Sequence, residues 1–168
     1  MEQKVVNILK YAMDMEMNGH NFFKESAETF TSPVTKALFL ELAEVELEHY
    51  KLIKSELESY TDSPEDFELD EEVLDRDESS IFSQRKGSEA LDTTLVESDV
   101  PDLNIMRMAY LIERDFKEFY DEAKDMVDDE NVKKLLQRLS DWEKGHETIF
   151  KREYDRLKKE YLTLPWGG

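Results

Sequence analysis

The chain has 168 residues, enough for a domain with a substantial core, and its 41 Asp and Glu residues against 22 Lys and Arg give a formal net charge of −19. The absence of cysteine excludes a disulfide framework, thiolate metal sites and a cysteine nucleophile. So acidic a protein is also a poor partner for nucleic acids and anionic membranes, because both bind through Lys and Arg.

Four long helices are predicted in chain order. In the third, apolar residues recur three and four positions apart, which is the period of a helix stripe and excludes a strand. Helices of this length span about 40 Å at 1.5 Å per residue, and short links make neighbours antiparallel. The pattern therefore predicts an all-α bundle of two antiparallel helical hairpins. The predicted helices cover about residues 4–30, 33–60, 102–127 and 130–161.

A long acidic crossover, residues 61–101, joins the second predicted helix to the third. Residues 61–99 contain 14 acidic and three basic residues, a net charge of −11. We expect most of this segment to lie on the surface as short helix and loop. Apolar anchors onto the bundle are expected at Ile81, Phe82, Leu91 and Leu95.

The sequence repeats itself at an offset of 97 residues. The offset pairs Ala12 with Ala109 and Leu42 with Leu139, so each predicted hairpin is one copy of the repeat. The same offset pairs the polar residues that interrupt the apolar stripes. Those polar residues are Glu16 with Glu113, Glu46 with Glu143 and His49 with His146.

The paired polar residues are predicted to point into the bundle, where carboxylates need a partner. A buried, unpaired carboxylate costs several kcal/mol, and four together repel one another. Two divalent cations would neutralise four carboxylates, and neutral imidazoles would complete the coordination. A Glu-x-x-His motif on two helices and a lone Glu on the other two is the dinuclear carboxylate site of helical bundles. The alternative interpretation is a bundle with solvated glutamates and incidental histidines.

On these motifs the sequence resembles the ferritin-like di-iron carboxylate superfamily, and within it the single-domain rubrerythrin-related proteins. The resemblance implies one ferritin-like domain over residues 1–168. It also implies terminal carboxylates Glu16 and Glu113, bridging carboxylates Glu46 and Glu143, and imidazole ligands His49 and His146.

In these families an aromatic residue seven positions after each lone glutamate adjoins the metals. Here the two positions hold Phe23 and Tyr120, so only one half of the chain keeps the hydroxyl. Two further features of rubrerythrins are missing from the sequence: an extra glutamate on the third helix and an attached iron domain with four cysteine ligands. The resemblance therefore implies that any electron donor is a separate protein.

The function implied is an oxidoreductase that reduces H2O2 or O2 at two Fe ions, by rubrerythrin-like peroxidase or ferroxidase-type chemistry. Mn is the alternative metal, and Zn can substitute in a purified sample. Two other hypotheses stay open: iron or manganese binding without turnover, for sequestration or sensing, and a purely structural helical module. The resemblance is compatible with a homodimer. With neither a signal-peptide pattern nor a run of about 18 apolar residues, the expected location is the cytoplasm.

Two residues close to Glu16 each have two interpretations. His20 is expected on a partly exposed helix face, and the alternative is a role behind or beside the metal ligands. Gly19 is either a tolerated glycine that costs about 1 kcal/mol relative to alanine or a residue that leaves space for a small oxidant.

Overall fold

The computed structural model describes residues 2–30, 33–69, 78 and 100–163. Within these ranges the chain forms four α-helices and no strand, which confirms the all-α prediction. Each helix begins and ends within three residues of the predicted bounds. The helices are α1 (Glu2–Ala27), α2 (Pro33–Asp62), α3 (Val100–Asp125) and α4 (Glu130–Thr163).

The helices pack mainly as two pairs, α1 with α2 and α3 with α4. The turn before α4 shows how the sequence begins a helix: the Asp129 carboxylate accepts hydrogen bonds from the backbone N–H groups of Asn131 (2.8 Å) and Val132 (3.0 Å). Such capping satisfies N–H groups that have no partner within the helix. No helix among the described residues has an apolar stretch of the length needed to cross a membrane.

The core consists of two apolar clusters separated by a polar layer. The first cluster includes Leu9, Ile53, Tyr120 and Leu136, and the second includes Phe23, Phe39, Leu42 and Phe150. Burial of each such side chain stabilises the fold by about 1.5–3 kcal/mol. Along every helix the change from one cluster to the other falls at one glutamate. These glutamates are Glu16, Glu46, Glu113 and Glu143.

The beginning of the crossover is packed against the bundle. A short 3-10 helix, Pro64–Asp66, leads into Phe67 and Leu69, which are buried in the first cluster. The Asn131 side chain donates a hydrogen bond to the backbone carbonyl of Phe67 (2.8 Å). The expected anchors Ile81, Phe82, Leu91 and Leu95 lie outside the described residues.

Candidate metal centre

The polar layer brings together all six residues that the sequence singles out as metal ligands. Each of the four helices contributes a glutamate, and α2 and α4 also contribute a histidine three residues later, on the same helix face. None of the six side chains is more than 1% exposed. The six residues are Glu16, Glu46, His49, Glu113, Glu143 and His146.

These side chains form two overlapping groups, each of a size that one metal ion could occupy. Within each group the potential ligand atoms lie within 4.8 Å of one another. Glu46 and Glu143 belong to both groups. The first group adds Glu16 and His49, and the second adds Glu113 and His146.

The Nδ1 atom of each histidine faces the carboxylates. His49 Nδ1 lies 3.2 Å from Glu143 Oε1 and 3.9 Å from Glu46 Oε2. His146 Nδ1 lies 3.3 Å from Glu143 Oε2 and 3.6 Å from Glu46 Oε1. Each shared carboxylate thus turns one oxygen toward each histidine, which is the orientation of a bridging ligand.

The two remaining glutamates complete the arrangement from opposite sides. Glu16 Oε2 lies 3.4 Å from His49 Nδ1, and Glu113 Oε2 lies 3.5 Å from His146 Nδ1. Ligand atoms about 2.1 Å from a common ion are themselves about 3–3.5 Å apart. The spacing in both halves is therefore suited to an ion between the ligand atoms.

Burial and mutual repulsion perturb the ionisation of the carboxylates. Burial, then the charge of Glu143, raises the pKa of Glu46 well above its usual value. Burial also raises the pKa of Glu113, although His146 acts in the opposite direction. The pKa of Glu143 is lowered, because the two histidines outweigh the effect of burial. The carboxyl groups of Glu46, Glu113 and Glu143 therefore differ in their affinity for protons, although they lie in the same buried layer.

The same electrostatics act on the histidines. Burial alone would lower the pKa of His49 and His146, but the adjacent carboxylates raise both well above the usual value. In the absence of metal the imidazoles therefore hold protons that compensate part of the carboxylate charge. A metal ion would replace those protons, since only a deprotonated Nδ1 can act as a ligand.

Several buried oxygens have no hydrogen-bond donor among the described residues, which favours a metal in this layer. Both oxygens of Glu46 and of Glu113 are in this state, as is one oxygen of Glu16. Leaving such groups unsatisfied costs about 1–3 kcal/mol each, and more when they are charged. Two divalent cations would satisfy the oxygens and balance the four carboxylate charges. Oxygen and imidazole ligands are suited to Fe, Mn and Zn.

Tyr120 contacts the layer from the first cluster. Its hydroxyl donates a short hydrogen bond to Glu16 Oε1. Burial, together with the charge of Glu16, raises the pKa of Tyr120 well above its usual value, so the phenol keeps its proton. Phe23, its counterpart in the repeat, lies in the second cluster, where its ring stacks on Phe150 at a centroid distance of 5.4 Å.

Glu78 also reaches the histidines, and no sequence pattern distinguishes it from the other acidic residues of the crossover. It is 5% exposed and accepts hydrogen bonds from His49 Nε2 (2.9 Å) and His146 Nε2 (3.2 Å). Burial would raise its pKa, but the two histidines outweigh burial and lower the pKa to about 2. Glu78 is thus a buried residue of a segment that we expect to lie mostly on the surface.

The two residues close to Glu16 have structural roles. A Cβ atom on Gly19 would lie 3.0 Å from the Phe116 ring and 3.3 Å from Glu46 Oε2, so glycine lets both side chains approach α1. His20 is buried, at 8% exposed, and not partly exposed as predicted. Its Nδ1 atom lies 2.6 Å from the Ala43 carbonyl, a contact that joins α1 to α2 and explains the burial.

The chain is similar to known proteins in sequence and in fold. A family model described as Rubrerythrin matches residues 7–154. A solved structure, the hypothetical protein Pfu-1136390-001 from Pyrococcus furiosus, has a TM-score of 0.65 and 22% sequence identity; the match covers 92% of this chain and 90% of that one. At this identity the likeness shows the fold alone. No curated protein matches the chain.

Proposed function

Since the chain belongs to the rubrerythrin family, we propose that the polar layer binds two iron ions and that the loaded protein is an oxidoreductase that reduces H2O2 or O2. The observation that carries this proposal is the pair of ligand groups sharing Glu46 and Glu143. Bound Fe(II) would supply one electron per ion, which together reduce one peroxide. Mn is the alternative metal, because the ligand atoms suit it equally well.

The six side chains then have distinct roles. Glu16 and His49 would help to hold the first ion, and Glu113 and His146 the second. Glu46 and Glu143 would contribute to both, because each turns one oxygen toward each half. The charges of two divalent ions would balance those of the four glutamates in the ligand groups, so loading would remove the carboxylate repulsion that, together with burial, raises the pKa of Glu46.

Other residues support the same chemistry. Tyr120 orients Glu16 through its hydrogen bond, and the two apolar clusters limit access of water from both ends of the bundle. Burial of every ligand restricts the oxidant to a small molecule such as H2O2 or O2. These 168 residues contain no cysteine that could hold a second iron centre, so we assign the electrons that restore Fe(II) to a separate donor protein.

Anaerobic titration with Fe(II), followed by H2O2, tests the proposal. We expect two Fe(II) to bind per chain and one H2O2 to be consumed per two Fe(II) oxidised, with near-ultraviolet absorption of Fe(III) as the measurement. A chemical reductant should then restore the starting spectrum and permit a second cycle. A stoichiometry far from two irons per chain would contradict the proposed site.

The variant Glu46→Ala with Glu143→Ala is the matched control, because it removes both shared ligands. It should bind no iron under the same conditions. Unchanged metal content in this variant would support a purely structural helical module. Binding of two irons with slow, unselective oxidation and no second cycle would favour metal sequestration or sensing.

A further inference from the structure

We infer that Glu78 is a positioning residue that prepares both histidines for metal binding by accepting one hydrogen bond from each. The inference rests on the proposed metal site, but Glu78 belongs to neither group of potential ligands. Its two oxygens divide between the rings: Oε1 faces His49 Nε2 at 2.9 Å, and Oε2 faces His146 Nε2 at 3.2 Å. One side chain therefore serves both halves of the centre.

The geometry of the two rings makes this sharing feasible. The imidazoles of His49 and His146 are nearly parallel, with an interplanar angle of 9° and centroids 5.8 Å apart. Both rings turn Nδ1 toward the glutamates and Nε2 toward Glu78. The two oxygens of one carboxylate can thus accept one hydrogen bond from each Nε2 atom.

The hydrogen bonds to Glu78 determine which nitrogen is left for the metal. A carboxylate can only accept, so each Nε2 must carry a proton. When the ring is neutral, Nδ1 then has a free lone pair directed at the carboxylate cluster. Glu78 therefore selects, in each histidine, the tautomer with the proton on Nε2, which each of the two proposed metal ions requires. Carboxylate acceptors also make imidazoles stronger donors to a metal.

Glu78 also joins the two hairpins at their common centre. His49 lies on α2 and His146 on α4, whereas Glu78 comes from the crossover between α2 and α3. Glu78 is 5% exposed, so it adds a fifth buried carboxylate charge to this region. Two divalent ions would neutralise only four of these charges. Burying an extra charge is costly, and the two hydrogen bonds from histidine offset that cost.

Glu78→Gln separates the two functions of the carboxylate with little change in shape. A glutamine has one acceptor and one donor at this position, so it can accept from one histidine but directs an N–H group at the other. That second histidine would have to place its proton on Nδ1, where it blocks the metal. Affinity for one Zn(II) should fall about 10–100-fold while the other stays nearly unchanged. Glu78→Ala should weaken both.

Two measurements test this inference without enzymatic activity. Calorimetric titration with Zn(II) gives the affinity of each site. NMR of protein labelled with 15N-histidine gives the number of Nε2–H groups that are protected from exchange, with or without Zn(II). We expect two protected groups at His49 and His146 in the original chain, one in Glu78→Gln and none in Glu78→Ala.

Glu153→Gln is the matched control. Glu153 is 7% exposed, close to the burial of Glu78, but it pairs with Arg152 and Arg156 instead of a histidine. The control should keep both protected N–H groups and both Zn(II) affinities. Circular dichroism shows whether each variant keeps its helices.

Outcomes that contradict the inference differ from those that contradict the proposed function. If folded Glu78→Gln keeps both protected groups and both affinities, the inference is wrong and the metal site stands. If the original chain binds two Zn(II) and the variants behave as expected, but Fe(II) is not oxidised by H2O2, the proposed oxidoreductase is wrong and the inference stands.

Discussion

The two halves of the candidate metal centre offer the same potential ligands but have different surroundings. The first half-site, around Glu16 and His49, receives the hydroxyl of Tyr120 as a hydrogen-bond donor. In the second half-site, around Glu113 and His146, neither Glu113 oxygen accepts a hydrogen bond from the residues that the structure describes. The two copies of the repeat therefore share the potential ligands but differ in the residues that contact them.

Other positions related by the offset of 97 differ in the same way. Trp142 stacks on His49 at a centroid distance of 5.0 Å, and the equivalent position in the other copy is Val45. Gly19 corresponds to Phe116, and these two residues touch each other: even a Cβ atom on Gly19 would lie 3.0 Å from the Phe116 ring. Two phenylalanines could not share this space. Large and small residues complement one another where the two copies meet.

The largest expected effect that distinguishes the half-sites is at Glu113. Glu113→Gln removes a proposed ligand, so affinity for the second metal should fall by more than about 100-fold. A loss of about 100-fold is the upper end of the range for residues that act on a metal only through one of its ligands. In the metal-free protein the same change should raise the free energy of unfolding at pH 7 by roughly 1–3 kcal/mol, because it removes a carboxyl group whose charged form is disfavoured by burial. Urea unfolding and metal titration measure the two effects.

The sign of the pH dependence follows from the raised pKa of Glu113. Below about pH 4.5 the carboxyl group is protonated in both folded and unfolded chains, so it does not affect stability. As the pH rises, the unfolded chain loses this proton first, and the folded state is penalised. The gain from Glu113→Gln should therefore be absent at pH 4 and increase toward pH 7. Glu16→Gln is the control, and an equal gain there would contradict the difference between the half-sites.

The sequence was sufficient to predict the four helices and the six side chains that meet in the polar layer, but not Glu78. Glu46 and His49 could be recognised because a single apolar stripe determines which way both side chains point. Glu78 lies in a segment without such a stripe, among 14 acidic residues, and its contact depends on the path of the crossover. The burial of His20 likewise depends on how closely α1 meets α2, which periodicity within α1 does not determine.

Tyr120→Phe should make the first half-site resemble the second. The change removes the only hydroxyl that the described residues direct at Glu16, so the free energy of unfolding of the metal-free protein should fall by about 1–2 kcal/mol at pH 7. Chemical denaturation measures this loss. Tyr154→Phe, which removes a hydroxyl near the second cluster, is the control and should have a smaller effect.

Phe23→Tyr is the converse change. The repeat relates Phe23 to Tyr120 and Glu113 to Glu16, so we expect a hydroxyl at position 23 to reach Glu113. In the Tyr120→Phe background it should recover part of the lost stability. A further loss of stability in the double variant would mean that the new hydroxyl is left unsatisfied among the phenylalanines of the second cluster.

The smallest expected effect concerns the complementary pair Gly19 and Phe116. Alanine in a helix interior is favoured over glycine by about 1 kcal/mol. At Gly19 the new Cβ would press on Phe116 and Glu46, at 3.0 and 3.3 Å, and strain of this kind typically costs 1–3 kcal/mol, so Gly19→Ala should be neutral or up to about 2 kcal/mol destabilising. A Cβ atom on Gly145 would have no described atom within 4 Å apart from the nearby backbone of its own helix. Gly145→Ala should therefore stabilise the protein by up to about 1 kcal/mol. Equal stabilisation of the two variants in urea would show that the ring of Phe116 moves freely and that Gly19 is not needed for the packing of the two copies.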